Sequence, residues 1–470
     1  MFKNNFFIPI RSGLVRFSRT YCLLVLNLNN KSRTCLALIT KDKDNVSPSK
    51  QTIMSRLENY FSFIVYFMII LMASVNMSLA QAPDMENMHF VQIDIPQHGI
   101  IEVAPPLPMD GRLPDGTVLT IKATPAEGYV FDGGYYAIYG TWGKLYFESM
   151  TPEFEVVIDQ DKTLGASFIE KKALEGFRVI QNVEYAQPGE KLLKYDVFTP
   201  EGAIGLPCII IIHGGGWSIN TEDIMRGLAR ELVSTGDYVV FSIDYRWISN
   251  LDGDQEPNQL VDIIQDVYGA ICHIQEHAQE YGGDPGRIAL TGDSAGGHLS
   301  AAAANFADRI GDGGFGGDDG VFEFNPSYLP EGKPVGEVRR DILNAIRAVA
   351  PSYGVFGGPL LKAFMGGASE EYFRAIAPIE NIPDVKDRNI PQYLLRGTND
   401  FLIQNESVQA YADALKAAGQ KVIYEQVEGA GHAFFDWKPD SNTKEVFLQY
   451  GVPYAAKMKA FFDEVFYPKE

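Results

Sequence analysis

A strand-like run, Arg287-Ile288-Ala289-Leu290-Thr291, ends on Gly292-Asp293-Ser294-Ala295-Gly296 and passes directly into a small-residue helix, Gly297 to Asn305. No other feature restricts the fold so tightly, because a serine between strand and helix needs a sharp, strained turn at the edge of a sheet. Glycines two residues to either side of Ser294 let that turn close without a Cβ clash. The turn then lifts the hydroxyl clear of the sheet. Taken alone, the G-x-S-x-G spacing is a weak signal. Here it follows His213-Gly214-Gly215-Gly216-Trp217, about eighty residues upstream, and precedes Gly397-Thr398-Asn399-Asp400 and Gly431-His432. Glycine loop, serine, aspartate and histidine in that order imply nucleophilic chemistry at an acyl carbon.

From Phe177 onward, strand-like and helical segments alternate, the signature of a mostly parallel sheet. The pattern predicts strands at Val179–Tyr185, Leu193–Phe198, Cys208–His213, Tyr238–Ile243, Arg287–Gly292, Ile346–Ala350, Pro391–Arg396 and Lys421–Val427. Helices are predicted at Ile224–Ser234, Gln259–Tyr281, Ser294–Ala307, Asn405–Ala418 and Tyr454–Val465. The unbroken apolar run Cys208-Ile209-Ile210-Ile211-Ile212 suits a central strand buried on both faces. The expected class is α/β, with a mostly parallel central sheet and helices on both faces over residues 177–470. A small β-rich domain precedes it over 88–170. Its expected strands are Phe90–Asp94, Gly99–Val103, Thr117–Ala123 and Glu153–Ile158, around a Tyr/Phe-rich middle and between Pro/Gly turns.

The start of the chain reads differently. Tyr60 to Val75 is almost wholly apolar, Met54 and Arg56 stand before it, and Ser78-Leu79-Ala80-Gln81-Ala82 supplies small residues after it. Residues 54–80 are therefore expected to be a secretory signal, cleaved near Ala80 or Ala82. An uncleaved single-span anchor is the competing expectation. Residues 1–53 have no periodicity and are expected to be an extension ahead of a true start at Met54. The implied location is secreted or periplasmic, with no stable membrane insertion after processing.

Charge narrows the partners. The net charge is −20, although the first 80 residues carry 10 Lys/Arg against 3 Asp/Glu. So acidic a body repels phosphate backbones, which excludes nucleic acid as a natural partner. Of four cysteines, only Cys208 and Cys272 lie beyond the leader, and they are expected to be buried thiols.

Acyl transfer needs a nucleophile, a base and oxyanion donors. Ser294 is the candidate nucleophile. Seven histidines compete for the base. His89 and His98 belong to the β-rich region, and His213 is expected to brace the glycine loop. His298 is placed to pack along its own helix. His273 and His277 fit a short H-x-x-E-H metal pattern, but no third ligand follows, so an ordinary helix face is expected there. His432 lies in a loop directly after a predicted strand, where a base can reach Ser294. Asp400, after the strand ending at Arg396, is the candidate acid. Asp384, Asp387 and Asp436 are weaker alternatives, and Asp293 is expected to brace the turn. Backbone N–H groups of Gly214, Gly215, Gly216 and Ala295 are the candidate oxyanion donors. No cofactor or metal is implied.

With the H-G-G-G and G-D-S-A-G pair, residues 177–470 resemble an α/β-hydrolase of the hormone-sensitive-lipase-like carboxylesterase group. They are similar, more closely, to bacterial carbohydrate esterases of the feruloyl/acetyl-xylan type. The resemblance implies Ser294, Asp400 and His432 as nucleophile, acid and base, and the same glycines with Ala295 as oxyanion hole. One departure is Asp244-Tyr245-Arg246-Trp247-Ile248, where lipase-like members often read Tyr-Arg-Leu-Ala-Pro. Gly99–Val103, Gly116–Pro125, Glu127–Phe131 and Thr163–Phe168 resemble a bacterial β-repeat domain of surface and secreted proteins, implying a spacer or a glycan- or partner-binding unit. The expected function is a secreted serine carboxylesterase acting on short-chain or aromatic acyl esters, with an acylated polysaccharide as the candidate substrate. The alternatives are a serine peptidase of prolyl-oligopeptidase type and a non-catalytic hydrolase-fold adhesion protein. Asp308 to Pro334 is expected to be a mobile Gly/Asp-rich insertion that could hold calcium, although EF-hand spacing is absent. Trp217, Trp247, Phe315, Phe434, Phe435 and Trp437 are expected either to stack on substrate or to fill the core.

Overall fold

The computed structural model describes residues 16–17, 21–25, 36–39, 87–140, 143–248, 252–311, 323–365 and 368–469. The chain divides at Glu86 into two units. Within the first unit the described backbone is three short antiparallel strands, Arg16–Phe17, Tyr21–Val25 and Leu36–Ile39. The expected signal at 54–80 lies outside the described residues. Among those described, no helix is long and apolar enough to cross a membrane.

The second unit begins with the β-rich domain. Its strands are β1 (Met88–Ile93), β2 (Gly99–Ala104), β3 (Arg112–Pro114), β4 (Thr117–Pro125), β5 (Tyr129–Gly140), β6 (Gly143–Ser149), β7 (Glu153–Ile158) and β8 (Lys162–Glu170). They form two sheets, ordered β7-β4-β2 and β3-β1-β8-β5-β6. In β4, Leu119, Ile121 and Ala123 are buried while Val118, Lys122 and Thr124 face out, the period-two pattern of a half-buried strand. Leu119 and Ile121 pack with Val91, Val156, Ile158 and Leu164 to make the core. The Tyr/Phe-rich middle, left undivided by the sequence pattern, is the long hairpin β5–β6. Gly134 is required in it, because a Cβ there would stand 2.1 Å from the Phe154 ring.

The larger sheet follows: β9 (Phe177–Ala186), β10 (Leu193–Pro200), β11 (Leu206–Ile212), β12 (Val239–Ile243), β13 (Gly283–Asp293), β14 (Ile346–Ser352), β15 (Gln392–Gly397) and β16 (Val422–Val427). Its order is β9-β10-β12-β11-β13-β14-β15-β16. The first two pairings are antiparallel and every later one is parallel. Ile209 to Ile212 are fully buried at the sheet centre. Helices α1 (Arg226–Val233) and α9 (Val452–Phe466) pack together on the sheet. A second layer holds α2 (Leu260–His277), α3 (Ala295–Asn305) and α4 (Val335–Ala345). Short helices α5 (Gly358–Met365) and α6 (Glu370–Ala375), then α7 (Asn405–Ala417) and α8 (Ser441–Val446), complete the set described. This is the α/β-hydrolase fold.

Residues 312–322 of the insertion, with Phe315 and the core of the suggested calcium site, lie outside the described residues. The flanks of that segment are pinned rather than loose: Ile310 bridges Phe324, Phe324 is fully buried, and Ser327 N–H donates to Gln265. The β-rich domain, expected as a spacer or a glycan- or partner-binding unit, is docked on the hydrolase through buried charge. Asp132 of β5 accepts from Arg226 Nε (3.3 Å), Arg230 Nη1 (2.9 Å) and Trp437 Nε1 (2.8 Å), and Glu148 of β6 meets Arg226 Nη2 at 2.6 Å. A buried carboxylate survives only with such partners. Burial alone would raise the Asp132 carboxyl, but the surrounding Arg226, Arg230 and Lys444 hold it far below the usual range.

Candidate active site

Ser294 leaves β13 with φ 52° and ψ −113°, a conformation rarely tolerated outside glycine. Its neighbours make room for it. A Cβ on Gly292 would stand 2.4 Å from the Gly296 carbonyl oxygen, and one on Gly296 would stand 1.9 Å from that of Ile212. The Ser294 N–H donates to Ser352 O at 3.0 Å, tying the turn to the end of β14. Ala295 opens α3, so its N–H belongs to the first-turn donors that have no acceptor within the helix.

Three further strand ends converge on this turn, as parallel strands present their carboxyl ends to one crevice. From the loop after β16, His432 brings Nε2 to 2.9 Å from Ser294 Oγ. The Asp400 turn after β15 brings Oδ2 to 2.8 Å from His432 Nδ1. Leu402 and Ile403 N–H each donate to Asp400 Oδ1 at 2.9 Å. Burial pushes this carboxyl up, but His432 and those amides outweigh it and the net shift is downward. Arg396, which no motif flagged, locks the turn by donating to Ile403 O at 2.6 Å and Asp400 O at 2.8 Å. The two loops touch at Gly397, where a Cβ would lie 2.2 Å from Ala430 O. Tyr353, also unforeseen, sets its ring edge-on to His432 at 5.0 Å and accepts from Phe435 N–H at 3.1 Å.

The glycine loop follows β11. Gly215, Gly216 and Trp217 all have positive φ (124°, 59° and 58°). Behind them His213 stacks on Tyr245 at 4.1 Å, bonds Asp244 Oδ1 at 3.2 Å, and receives Tyr245 OH on its carbonyl at 2.8 Å. The Asp244-Tyr245-Arg246 departure is thus a brace, completed by Arg246 pairing twice with Asp266 at 2.9 Å.

Gly214 requires a correction. It lies against the buried Asp293 carboxyl, where a Cβ would come 2.8 Å from Oδ2 and where its N–H faces the acid. It seats the loop on the serine turn, with its N–H turned to that acid rather than left for an oxyanion. Asp293 itself is driven well above the usual carboxyl range, first by burial and then by the nearby Asp436. Asp436 is therefore a partner of Asp293, with Lys438 Nζ at 3.0 Å, and is not an alternative acid. Asp384 and Asp387 sit exposed on a turn before β15.

The other histidines have other tasks. His89 bonds Asp115 at 2.8 Å and His98 stacks on Tyr129 at 4.1 Å. His298 is buried against Ile376 O at 3.0 Å, and burial pushes it down to about 4. His273 bonds Tyr195 OH at 2.9 Å, and His277 bonds Glu280 at 2.8 Å. Among the described residues no group of three or more His, Cys, Asp or Glu is placed to hold a metal. Cys208 and Cys272 are buried free thiols. Of the aromatic candidates, Trp217, Phe434, Phe435 and Trp437 are buried in the core, while Trp247 is half-buried.

Comparison with known proteins agrees with this fold. Residues 195–317 match the BD-FAE family and residues 340–461 match the dienelactone hydrolase family. The chain is 29% identical over 252 residues to the carboxylic ester hydrolase LipN of Mycobacterium tuberculosis, covering 51% of this chain and 60% of that one. It is 39% identical over 106 residues to the carboxylesterase NlhH of the same organism, covering 23% and 31%. The chain thus spans less than two thirds of either relative. Among solved structures, a truncated carbohydrate esterase from gut microbiota superposes with TM-score 0.46 at 22% identity, over 62% of this chain and 97% of that one.

Proposed function

We propose that this α/β-hydrolase is a secreted or periplasmic serine carboxylesterase that removes short-chain or aromatic acyl groups from polysaccharides. The observation that carries the proposal is the continuous line of Ser294 Oγ, His432 Nε2, His432 Nδ1 and Asp400 Oδ2, spaced 2.9 and 2.8 Å. Such a line performs acyl transfer in two halves. Ser294 Oγ attacks the ester carbonyl while its proton passes to His432 Nε2. Asp400 holds the ring in the tautomer that keeps Nε2 free to accept, and it stabilises the imidazolium that forms. The carbonyl oxygen, now negative, accepts from the Gly215, Gly216 and Ala295 N–H groups, with the N-terminus of α3 adding its dipole. The tetrahedral intermediate collapses, His432 protonates the leaving alcohol, and the acyl group stays on Ser294. Water then attacks with His432 as base, releasing acid and restoring the serine.

The matched relatives are named as carboxylic ester hydrolases, which supports ester over amide substrates. Export is supported by the leader with its apolar run and small-residue end, and the polysaccharide by the resemblance to carbohydrate esterases. The deciding experiment compares wild type with Ser294→Ala on p-nitrophenyl acetate, acetylated xylan, feruloyl esters and peptide amides. We expect wild type to release acid from esters and to leave amides intact, with Ser294→Ala lower by at least about 10⁴-fold. Equal activity in the two proteins refutes the nucleophile, and preferential amide cleavage refutes the esterase reading.

A further inference from the structure

Between β6 and the end of the glycine loop lies a cleft of about 240 Å³ that the chemistry above does not use. One wall is five consecutive residues of β6, Lys144 to Glu148. Among the described residues, β6 is the edge strand of its sheet and pairs only with β5. Successive side chains of a strand point to opposite faces, so five neighbours line one cleft only if the edge itself runs along it. An edge strand leaves alternate N–H and C=O groups unpaired. Those groups supply donors and acceptors in a regular row.

The opposite wall is the segment Ile219 to Ile224 together with Trp247. Trp247 is fixed in place, its Nε1–H donating to Asn220 O at 3.0 Å. Across from it, Phe147 is 38% exposed although Tyr136 stacks on one of its faces at 4.8 Å. Lys191 Nζ sits over one face of the Trp247 ring at 4.1 Å, so the cleft offers the remaining surface of Trp247 on one side, Phe147 on the other, and hydrogen-bonding groups along the length.

Charge selects the kind of ligand. Three lysines line the cleft, but each already has a carboxylate: Lys144 with Asp94 (3.3 Å), Lys194 with Glu222 (3.0 Å) and Lys438 with Asp436 (3.0 Å). Glu148, also lining it, meets Arg226, and Asp223, the remaining charged lining residue, accepts from Thr221 Oγ1 at 3.3 Å beside Arg226 and Lys194. Neutralised walls favour a neutral, hydroxyl-rich ligand over a phosphate, an acid or a cation.

Position links the cleft to Ser294. Ile219–Ile224 continues the loop whose Gly214–Trp217 stretch borders the nucleophile, and Asn220 Nδ2 donates to Gly214 O at 3.2 Å. On the other rim, Lys438 contacts Asp436, which pairs with Asp293 beside Ser294.

We propose that this cleft is the subsite for the sugar units next to the esterified one, so that the β-rich domain forms half of a neutral-polysaccharide binding surface. This rests on the esterase reading above. The full chain would be assayed as wild type, Phe147→Ala, Trp247→Ala and Trp247→Phe on acetylated xylo-oligosaccharides and on p-nitrophenyl acetate. We expect both alanine variants to raise KM for the oligosaccharides about tenfold or more. The oligosaccharide to p-nitrophenyl acetate ratio of kcat/KM should drop with it, and Trp247→Phe should recover most of the loss. A parallel fall on both substrates, or no change on either, overturns the proposal. Binding of unacetylated xylohexaose, followed by calorimetry, separates the two readings. If wild type cleaves neither ester, the esterase reading fails. The cleft still stands if xylohexaose binds and Phe147→Ala abolishes binding, and it falls if no binding is seen.

Discussion

Ser294 occupies a backbone conformation that costs about 1–3 kcal/mol and persists because its surroundings leave no alternative. Gly296 is the tightest part of that constraint. Its missing Cβ would lie 1.9 Å from a backbone carbonyl of β11, which cannot give way without moving the sheet centre. Gly296→Ala should therefore lower the melting temperature sharply and abolish esterase activity, both read from the purified variant. Asp400 is constrained by hydrogen bonds instead. Asp400→Asn keeps the shape but offers His432 the wrong partner, so kcat on p-nitrophenyl acetate should fall by about 10⁴-fold with little change in KM. The sign of its pH effect follows from its lowered folded value: the stability it contributes is present above the ordinary carboxyl range and is lost as pH falls through the folded value.

Among the elements, the hairpin β5–β6 matters most beyond the catalytic sheet. Asp132 on β5 joins Arg226 and Arg230 of α1 to Trp437, five residues past His432. A substitution there strands the Arg230 guanidinium and the Trp437 N–H in a buried interface and leaves Arg226 to Glu148. Asp132→Ala should cost about 3–5 kcal/mol, measured by urea denaturation. The same hairpin carries the edge strand that lines the cleft, so docking and the proposed sugar binding depend on one element. Its strands were poorly legible in sequence because Tyr, Phe and Gly crowd both faces and blur the alternation. Strands β11 to β15 were plain by contrast, since buried parallel strands write continuous apolar runs between Gly/Pro breaks.

At the scale of the whole molecule, the interface between the β-rich domain and the hydrolase is a titratable joint. Burial pushes Glu148 up to about 7 from an ordinary 4.5, despite the opposing pull of Arg226. A folded value above the unfolded one means stability that is fully present below pH 4.5 and lost as pH rises through about 7. Glu148→Gln, which cannot ionise, should lose less thermal stability than wild type across that window, as read from melting curves in matched buffers.

The local sequence determined whatever local geometry demands. A serine between close-packed glycines, a glycine loop after an apolar strand, and Asp400 and His432 after two more strands are each legible, because each needs particular residues at fixed short spacing. Tertiary structure alone decided which buried charges meet. Asp132 and Trp437 stand 305 residues apart, and nothing in either one's neighbours names the other. It likewise turned Gly214 toward Asp293, seated Phe434 and Phe435 in the core, and brought β6 alongside Trp247. Burying a charge or an aromatic ring requires a partner, but which partner depends on surfaces that exist only once the chain has folded.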